Sequence, residues 1–314
     1  MTGFVLRRLA GVVTTVAVAS VVIFGALYLA PGDPASLLAG GNQPDPAALA
    51  AIRERHHLDD PFPVQYWHWL SGLLSGDPGV SLVLREPVTA LIGARIGTTL
   101  LLVAYAAVLI LTLGVATGVL AAVGGRRVDR ALTVLTTVLM AAPAFVAAIL
   151  LIWLFATTLS WFPVFGSGTG FADRIHHLTL PALALSGGYV AYVSRITRSE
   201  VRAELAADHV AAARGRGLPR WTVLRRHVLR NAAPPIVAVS GVTVAGLFAA
   251  TAVAEQAFGV AGLGSLLVQS AARQDLIVVQ ALSLLLVTVF VVVNMLVDVL
   301  NATLDPRLAK EGAP

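Results

Sequence analysis

Cysteine is absent from this chain, and lysine is nearly so. Without cysteine there is no disulfide, no thiolate metal site and no cysteine nucleophile. Lys310, the sole lysine, is followed by Glu311, so a phosphate-cradling GxxxxGK[ST] loop is excluded throughout. Charge is scarce too: 12% of residues are Asp, Glu, Lys or Arg against 57% hydrophobic, with a mean hydropathy of +0.82. That balance excludes an ordinary soluble domain and reads as a polytopic membrane protein. Its 314 residues suffice for one helical bundle and leave no room for a second, soluble domain. No Ser/His/Asp set and no HExxH pattern stands out, so the residues give no support for catalysis. The net charge of +5 reads as a membrane-orientation signal rather than a nucleic-acid surface.

What is present is a series of long apolar runs, predicting six spans at about 9–30, 97–123, 131–159, 178–194, 231–254 and 276–297. The first holds 22 uncharged residues, or about 33 Å of helix, enough to cross a hydrocarbon layer of roughly 30 Å. A cleavable signal has an apolar core of only about 7–15 residues, so this run is expected to stay as an uncleaved span. The other five contain no Asp, Glu, Lys, Arg or His. Ion-coupled carriers usually keep an ionisable side chain near the midplane, and these interiors offer none. Gly114 and Gly118, four apart, allow two helices to approach closely.

Segment 31–95 is the one long polar connection between spans and is expected to be extracytoplasmic. Within it Pro46–His57 reads as a short helix and Gln65–Leu74 as an amphipathic one, whose Tyr66, Trp67 and Trp69 suit the membrane interface. His56 and His57 beside Asp59 and Asp60 invite a metal reading. Adjacent histidines point different ways on a helix and no spacing fixes a third ligand, so a solvated loop is preferred and no metal is assigned. Alternating the loops across the membrane puts sixteen basic residues on the N-terminal side and six on the other, which predicts cytoplasmic N- and C-termini.

The loop 195–230 alone holds nine of those sixteen basic residues, all of them arginine. Glu200–Ala213 has helix-forming content, Gly215 and Gly217 permit a reversal, and Pro219 can open a second short helix. From the residues alone, such a basic segment is either a docking surface for a protein partner or an interfacial loop bound to lipid phosphate.

The run Asp208-His209-Val210-Ala211-Ala212-Ala213-Arg214-Gly215-Arg216-Gly217-Leu218, followed by Arg226-His227-Val228-Leu229-Arg230-Asn231-Ala232-Ala233-Pro234, resembles the cytoplasmic signature of ABC-transporter permeases. More narrowly it is similar to the dipeptide/oligopeptide importer permeases, B-type subunit, of binding-protein-dependent transport systems. Other elements fall in that family's order: Phe4-Val5-Leu6-Arg7-Arg8-Leu9, Ala30-Pro31-Gly32-Asp33-Pro34, Gly76-Asp77-Pro78-Gly79-Val80-Ser81 and Pro143-Ala144-Phe145. Leu180-Pro181-Ala182-Leu183, Arg195-Ile196-Thr197-Arg198, Glu255-Gln256-Ala257-Phe258 with Gly262-Leu263-Gly264, and Asp305-Pro306-Arg307 complete the set.

The resemblance implies an all-α integral membrane fold, a type I ABC importer-like transmembrane domain in the bacterial cytoplasmic membrane. It implies a second homologous permease, two ATPase subunits carrying ATP and Mg, an extracytoplasmic substrate-binding protein, a peptide substrate, and no cofactor on this chain. Relatives of this branch also import nickel chelates, glutathione or other small solutes. A stand-alone carrier or channel, or a membrane-embedded enzyme, remains the reading from other classes. ATPase coupling is expected at Asp208, Ala211, Ala212, Ala213, Arg214, Gly217, Leu218, His227, Arg230 and Asn231. An outer gate or binding-protein contact is expected at Glu255, Phe258, Gly262 and Gly264, with a solvated carboxylate at a helix end as the plainer reading of Glu255. The chain departs from the broader pattern at three places. One is His227-Val228-Leu229-Arg230, which stands where that motif ends in an Ile-x-Leu-Pro-like element and which, like Ala211, resembles the peptide-importer branch. Ala211 stands where that motif has glutamate, which shifts the expected docking from charge pairing to close packing of Ala212, Ala213 and Gly217. Ala261 replaces a usual proline, which predicts a less rigid outer turn.

Overall fold

A computed structural model describes residues 2–29, 35, 46–55, 58–81 and 83–304. Among these the chain is helical between short connections, with one isolated antiparallel bridge, Val80 to Pro87. The helices are α1 (Thr2–Leu29), α2 (Pro46–Arg55), α3 (Phe62–Leu74), α4 (Val88–Val123), α5 (Arg126–Ala141) and α6 (Ala144–Thr158). They are followed by α7 (Phe171–Leu205), α8 (Asp208–Gly215), α9 (Arg220–Ala257), α10 (Leu263–Ala272) and α11 (Leu276–Leu304). In hydrocarbon every backbone group must be satisfied within the segment, so uncharged Leu/Val/Ala runs have helix as their available form.

Among the described residues four helices, α1, α4, α9 and α11, are long and apolar enough to cross a membrane, and counting the bent pair α5–α6 as one span makes five. The remaining expected span, 178–194, forms the middle of α7, whose two ends carry Asp173, Arg174, His176 and His177 on one side and Arg195, Arg198 and Arg202 on the other. The expected span 131–159 falls on α5 and α6, which are bent by 104° from one another. The break falls at Ala142-Pro143, where the proline lacks a donor and biases its predecessor to the extended conformation it adopts, ψ 118°.

α7 is the hub. It packs against α4, α5, α6 and α9, while α9 also packs on α11, and α11 on α1. Leu178, Leu180, Ala182, Val190 and Val193 of α7 lie in one buried cluster with Leu102, Ala106 and Ile110 of α4 and Leu247 and Phe248 of α9. Gly118 makes the α4–α7 crossing possible: a Cβ there would sit 2.5 Å from Thr197 Cβ and 2.6 Å from the Ser194 carbonyl oxygen. α3 lies against α1 through Phe24, which meets Phe62, Tyr66 and Trp69 at centroid distances of 5.3 to 5.7 Å, and Ser20 shares a hydrogen bond with the Tyr66 hydroxyl. The His56/His57 metal reading, the Ala30–Pro34 helix stop and the Asp305–Arg307 element lie outside the described residues.

Candidate functional site

The expected basic loop is largely helix. α7 runs on to Leu205 and α9 begins at Arg220, so only a small hairpin around α8 is left between them. The helix expected over Glu200–Ala213 is split, because Ala207 turns extended (φ −71°, ψ 147°) before Asp208 opens α8. The split lets α8 fold back. Val210 and Ala213, three apart and therefore on one face, pack with Val201 of α7 and with Val223, Val228, Ala232 and Ile236 of α9. A tight turn closes the hairpin: Gly217 sits at φ +77°, a region costly for any residue with a Cβ, and its N–H donates to the Arg214 carbonyl at 2.9 Å. In α9 the backbone widens into a π turn over Val223–Val228.

This geometry sorts the expected coupling residues. Asp208, Ala211, Ala212, Arg214, Leu218, Arg230 and Asn231 are exposed, and His227 is partly buried in the π turn. Ala213, expected to pack on a partner, is 5% exposed and already spent on the chain's own core. The reason is helical phase: on so short a helix the residues three after Val210 share its inward face. Asn231 Nδ2 donates to Glu204 Oε2 at 3.4 Å and lies 3.1 Å from His209 Nε2, tying the ends of α7, α8 and α9 together. Asp129 at the start of α5 pairs with both Arg198 and Arg202 of α7. None of Glu204, His209 or Asp129 stood out in the sequence, since nothing there gives the pairing across elements.

At the other end of α9, Glu255 is fully buried, which overturns the solvated-carboxylate reading. Its Oε1 accepts from the Thr99 hydroxyl of α4 at 2.7 Å, and its Oε2 accepts from the Ser265 N–H at 2.8 Å. Ser265 is the third residue of α10, so the carboxylate caps that helix at its electropositive end. Thr99 Oγ1 in turn accepts the Leu263 N–H at 2.8 Å. The glycines follow from this. A Cβ on Gly262 would lie 2.2 Å from the Glu255 carboxyl carbon, and one on Gly264 would lie 2.6 Å from the Ala252 backbone. Phe258 is 2% exposed and belongs to the main core. The turn expected to be loose at Ala261 is held by its N–H donating to Ser167 Oγ at 3.1 Å.

A second buried carboxylate, Asp275, lies just before α11 at 2% exposure. It accepts from the Ser81 hydroxyl, while Ser81 Oγ accepts the Leu84 N–H at 2.8 Å. The Gly76–Ser81 element is thereby fastened to the start of α11. Thr99, Ser265 and Asp275 were missed from the sequence, where a lone hydroxyl or carboxylate in a loop carries no signal of burial.

A membrane bundle that is helical over the described residues, with a folded hairpin at its arginine-bearing end, is the arrangement expected of the permeases of ABC importers, membrane subunits that are not themselves catalytic. Residues 114–310 match the binding-protein-dependent transport system inner membrane component family, and residues 1–103 match that family's N-terminal part. The chain belongs to this family. A probable peptide ABC transporter permease protein, y4tP, of Sinorhizobium fredii (strain NBRC 101917 / NGR234) is 36% identical over 97% of this chain and 98% of its own length. The glutathione transport system permease protein GsiC of Salmonella choleraesuis (strain SC-B67) is 36% identical over 98% of this chain and 99% of its own. Two inward-facing crystal forms of the MetNI methionine ABC transporter share the fold, with TM-scores of 0.54 and 0.56 at 17% identity, over 68% of this chain and 96% of theirs.

Proposed function

We propose that this chain carries short peptides inward across the membrane as one of two related permeases. An extracytoplasmic binding protein delivers the peptide, and two ATPases holding ATP and magnesium drive the cycle. The peptide reading is supported by similarity over nearly the whole chain to a permease named for peptides. The coupling reading rests on α8. Its inner face is anchored to both α7 and α9, so a push on the hairpin reaches two long helices rather than dissipating in a loose loop. Its outer face offers Asp208, Ala211, Ala212 and Arg214 to a partner. Small side chains allow close approach there, and arginine can bind partner carboxylates in two-pronged fashion. α9 continues from the hairpin to Glu255, so ATPase closure at one end is transmitted to the capped α10 turn at the other.

An Ala212→Glu change tests this directly. The variant should insert and melt as the parent does, because residue 212 is exposed, yet lose binding-protein-stimulated ATP hydrolysis in the assembled complex. Normal stimulation sinks the docking role. Glutathione is the second reading, favoured by the equal identity to a glutathione permease. ATPase stimulation by the binding protein loaded with a dipeptide or with glutathione separates the two.

A further inference from the structure

The seam between α5 and α7 at the arginine-bearing end carries more positive charge than its own acids neutralise. Arg126, Arg127 and Arg130 of α5 and Arg195, Arg198 and Arg202 of α7 stand against Asp129, Glu200 and Glu204. Asp129 is taken by Arg198 and Arg202, and Glu204 by His209 and Asn231. Arg126, Arg127, Arg130 and Arg195 are exposed and form no ion pair among the described residues. Arg195 donates Nη2 to the Thr137 hydroxyl at 2.7 Å, which leaves most of its five N–H donors unused. Arg126, Arg130, Thr133 and Thr137, spaced four, three and four apart, share one face of α5, and that face leads from the first turn of the helix to the Arg195 guanidinium.

Beside Arg195 lies a half-open groove of about 270 Å³, walled by Ala121, Leu132, Thr133, Thr136 and Ser194. Its buried hydroxyls are spent inside the bundle. Thr136 donates to the Thr133 carbonyl at 3.0 Å. Thr117 donates to the Leu113 carbonyl at 2.6 Å, so Ser194 is the donor in the hydrogen bond these two hydroxyls share. Such a wall offers little to a polar solute and suits a hydrocarbon chain. On the same helix Val134, Leu135 and Val138 are exposed, an apolar surface that belongs in lipid.

We infer that this seam holds one anionic phospholipid of the leaflet on that side, an acyl chain in the groove and the phosphate on Arg195. An uncompensated guanidinium at the edge of the hydrocarbon layer is costly, and the anion present at that depth is the lipid phosphate. The planar fork of arginine takes two phosphate oxygens at once. The unpaired charges of Arg126 and Arg130 then favour an anionic headgroup over a zwitterionic one. Seated there, the lipid bridges α5 to α7, the helix that leads into the hairpin.

The test titrates the assembled complex in mild detergent with phosphatidylglycerol or phosphatidylcholine and counts, by native mass spectrometry, the lipid that stays with this chain. Phosphatidylglycerol should bind at least about fivefold more tightly than phosphatidylcholine. Arg195→Gln should weaken it at least about tenfold, as loss of a charged hydrogen-bond donor requires, with Arg195→Lys in between. Thr133→Trp fills the groove while keeping every arginine. It should weaken binding comparably, and it decides the matter if Arg195→Gln fails to assemble. Arg225→Gln removes the same charge from an exposed position on α9, away from the groove, and should change binding by less than about twofold. Equal binding of the two lipids, or undiminished binding in both the Arg195→Gln and Thr133→Trp variants, overturns the site. A loss in Arg225→Gln as large as in Arg195→Gln reduces the effect to diffuse charge and also overturns it. So does displacement of the lipid by glycerol phosphate or by alanylalanine as readily as by a second phosphatidylglycerol, because a site that needs no acyl chain is not a lipid site.

Discussion

Gly262→Ala is a sharp perturbation of the outer turn, because the three atoms nearest the one it adds all belong to the Glu255 carboxyl. The new Cβ would lie 2.2 Å from the carboxyl carbon, and ordinary contact begins near 3.4 Å, so the carboxyl must retreat by about 1.2 Å. A free side chain would do so at little cost. This one is pinned by hydrogen bonds of 2.7 Å from Thr99 and 2.8 Å from Ser265, and a retreat of that size breaks at least one of them. A hydrogen bond to a charged group contributes about 1.5–3 kcal/mol, and overpacking adds about 1–3, so the expected loss is about 2.5–6 kcal/mol. Purified in mild detergent, the variant should melt roughly 5 °C or more below the parent, at about 2–4 °C per kcal/mol. A double-mutant cycle isolates the cause: in a Glu255→Ala background the same Gly262→Ala change should have little further effect. A melt within about 1 °C of the parent, or additive losses in the cycle, would refute the claim that Glu255 is held in place as the cap of α10.

Gly118→Val should abolish folded protein, since its Cβ meets the Ser194 backbone and Thr197 at under 3 Å, whereas Gly93→Ala on the same helix meets nothing within 4 Å and should be neutral or slightly stabilising. Yield and monodispersity after size exclusion distinguish the two. A reporter active only outside the cytoplasm, fused after Arg126, should stay inactive, and activity there would reverse the expected topology.

The membrane class and the helical fold were legible in the sequence because they depend on composition, and uncharged runs in lipid have few alternatives to helix. The turn at Gly217 and the close approach at Gly118 were legible for a similar reason, since glycine marks places where a Cβ does not fit. The bend was not: the chain breaks by 104° at Pro143, whereas other interior prolines, Pro181, Pro234 and Pro235, sit inside continuous helices. A proline in the sequence looks the same in either case.

Side-chain assignments were less legible still. Ala211, Ala212 and Ala213 are chemically identical, and only the phase of α8 against Val201 and Val223 turns the third inward while leaving the first two exposed. Glu255 was read from its place just beyond an apolar run, which suggests solvent, yet the fold brings Thr99 from 156 residues away to meet it. What the sequence determined by itself was periodicity, polarity and backbone freedom, which are properties of neighbours along the chain. The tertiary structure decided which polar groups are paired, capped or left with spare donors, as at Asp129, Glu255 and Arg195. Those outcomes depend on contacts between distant segments, whose free energy is set by geometry that no local stretch encodes.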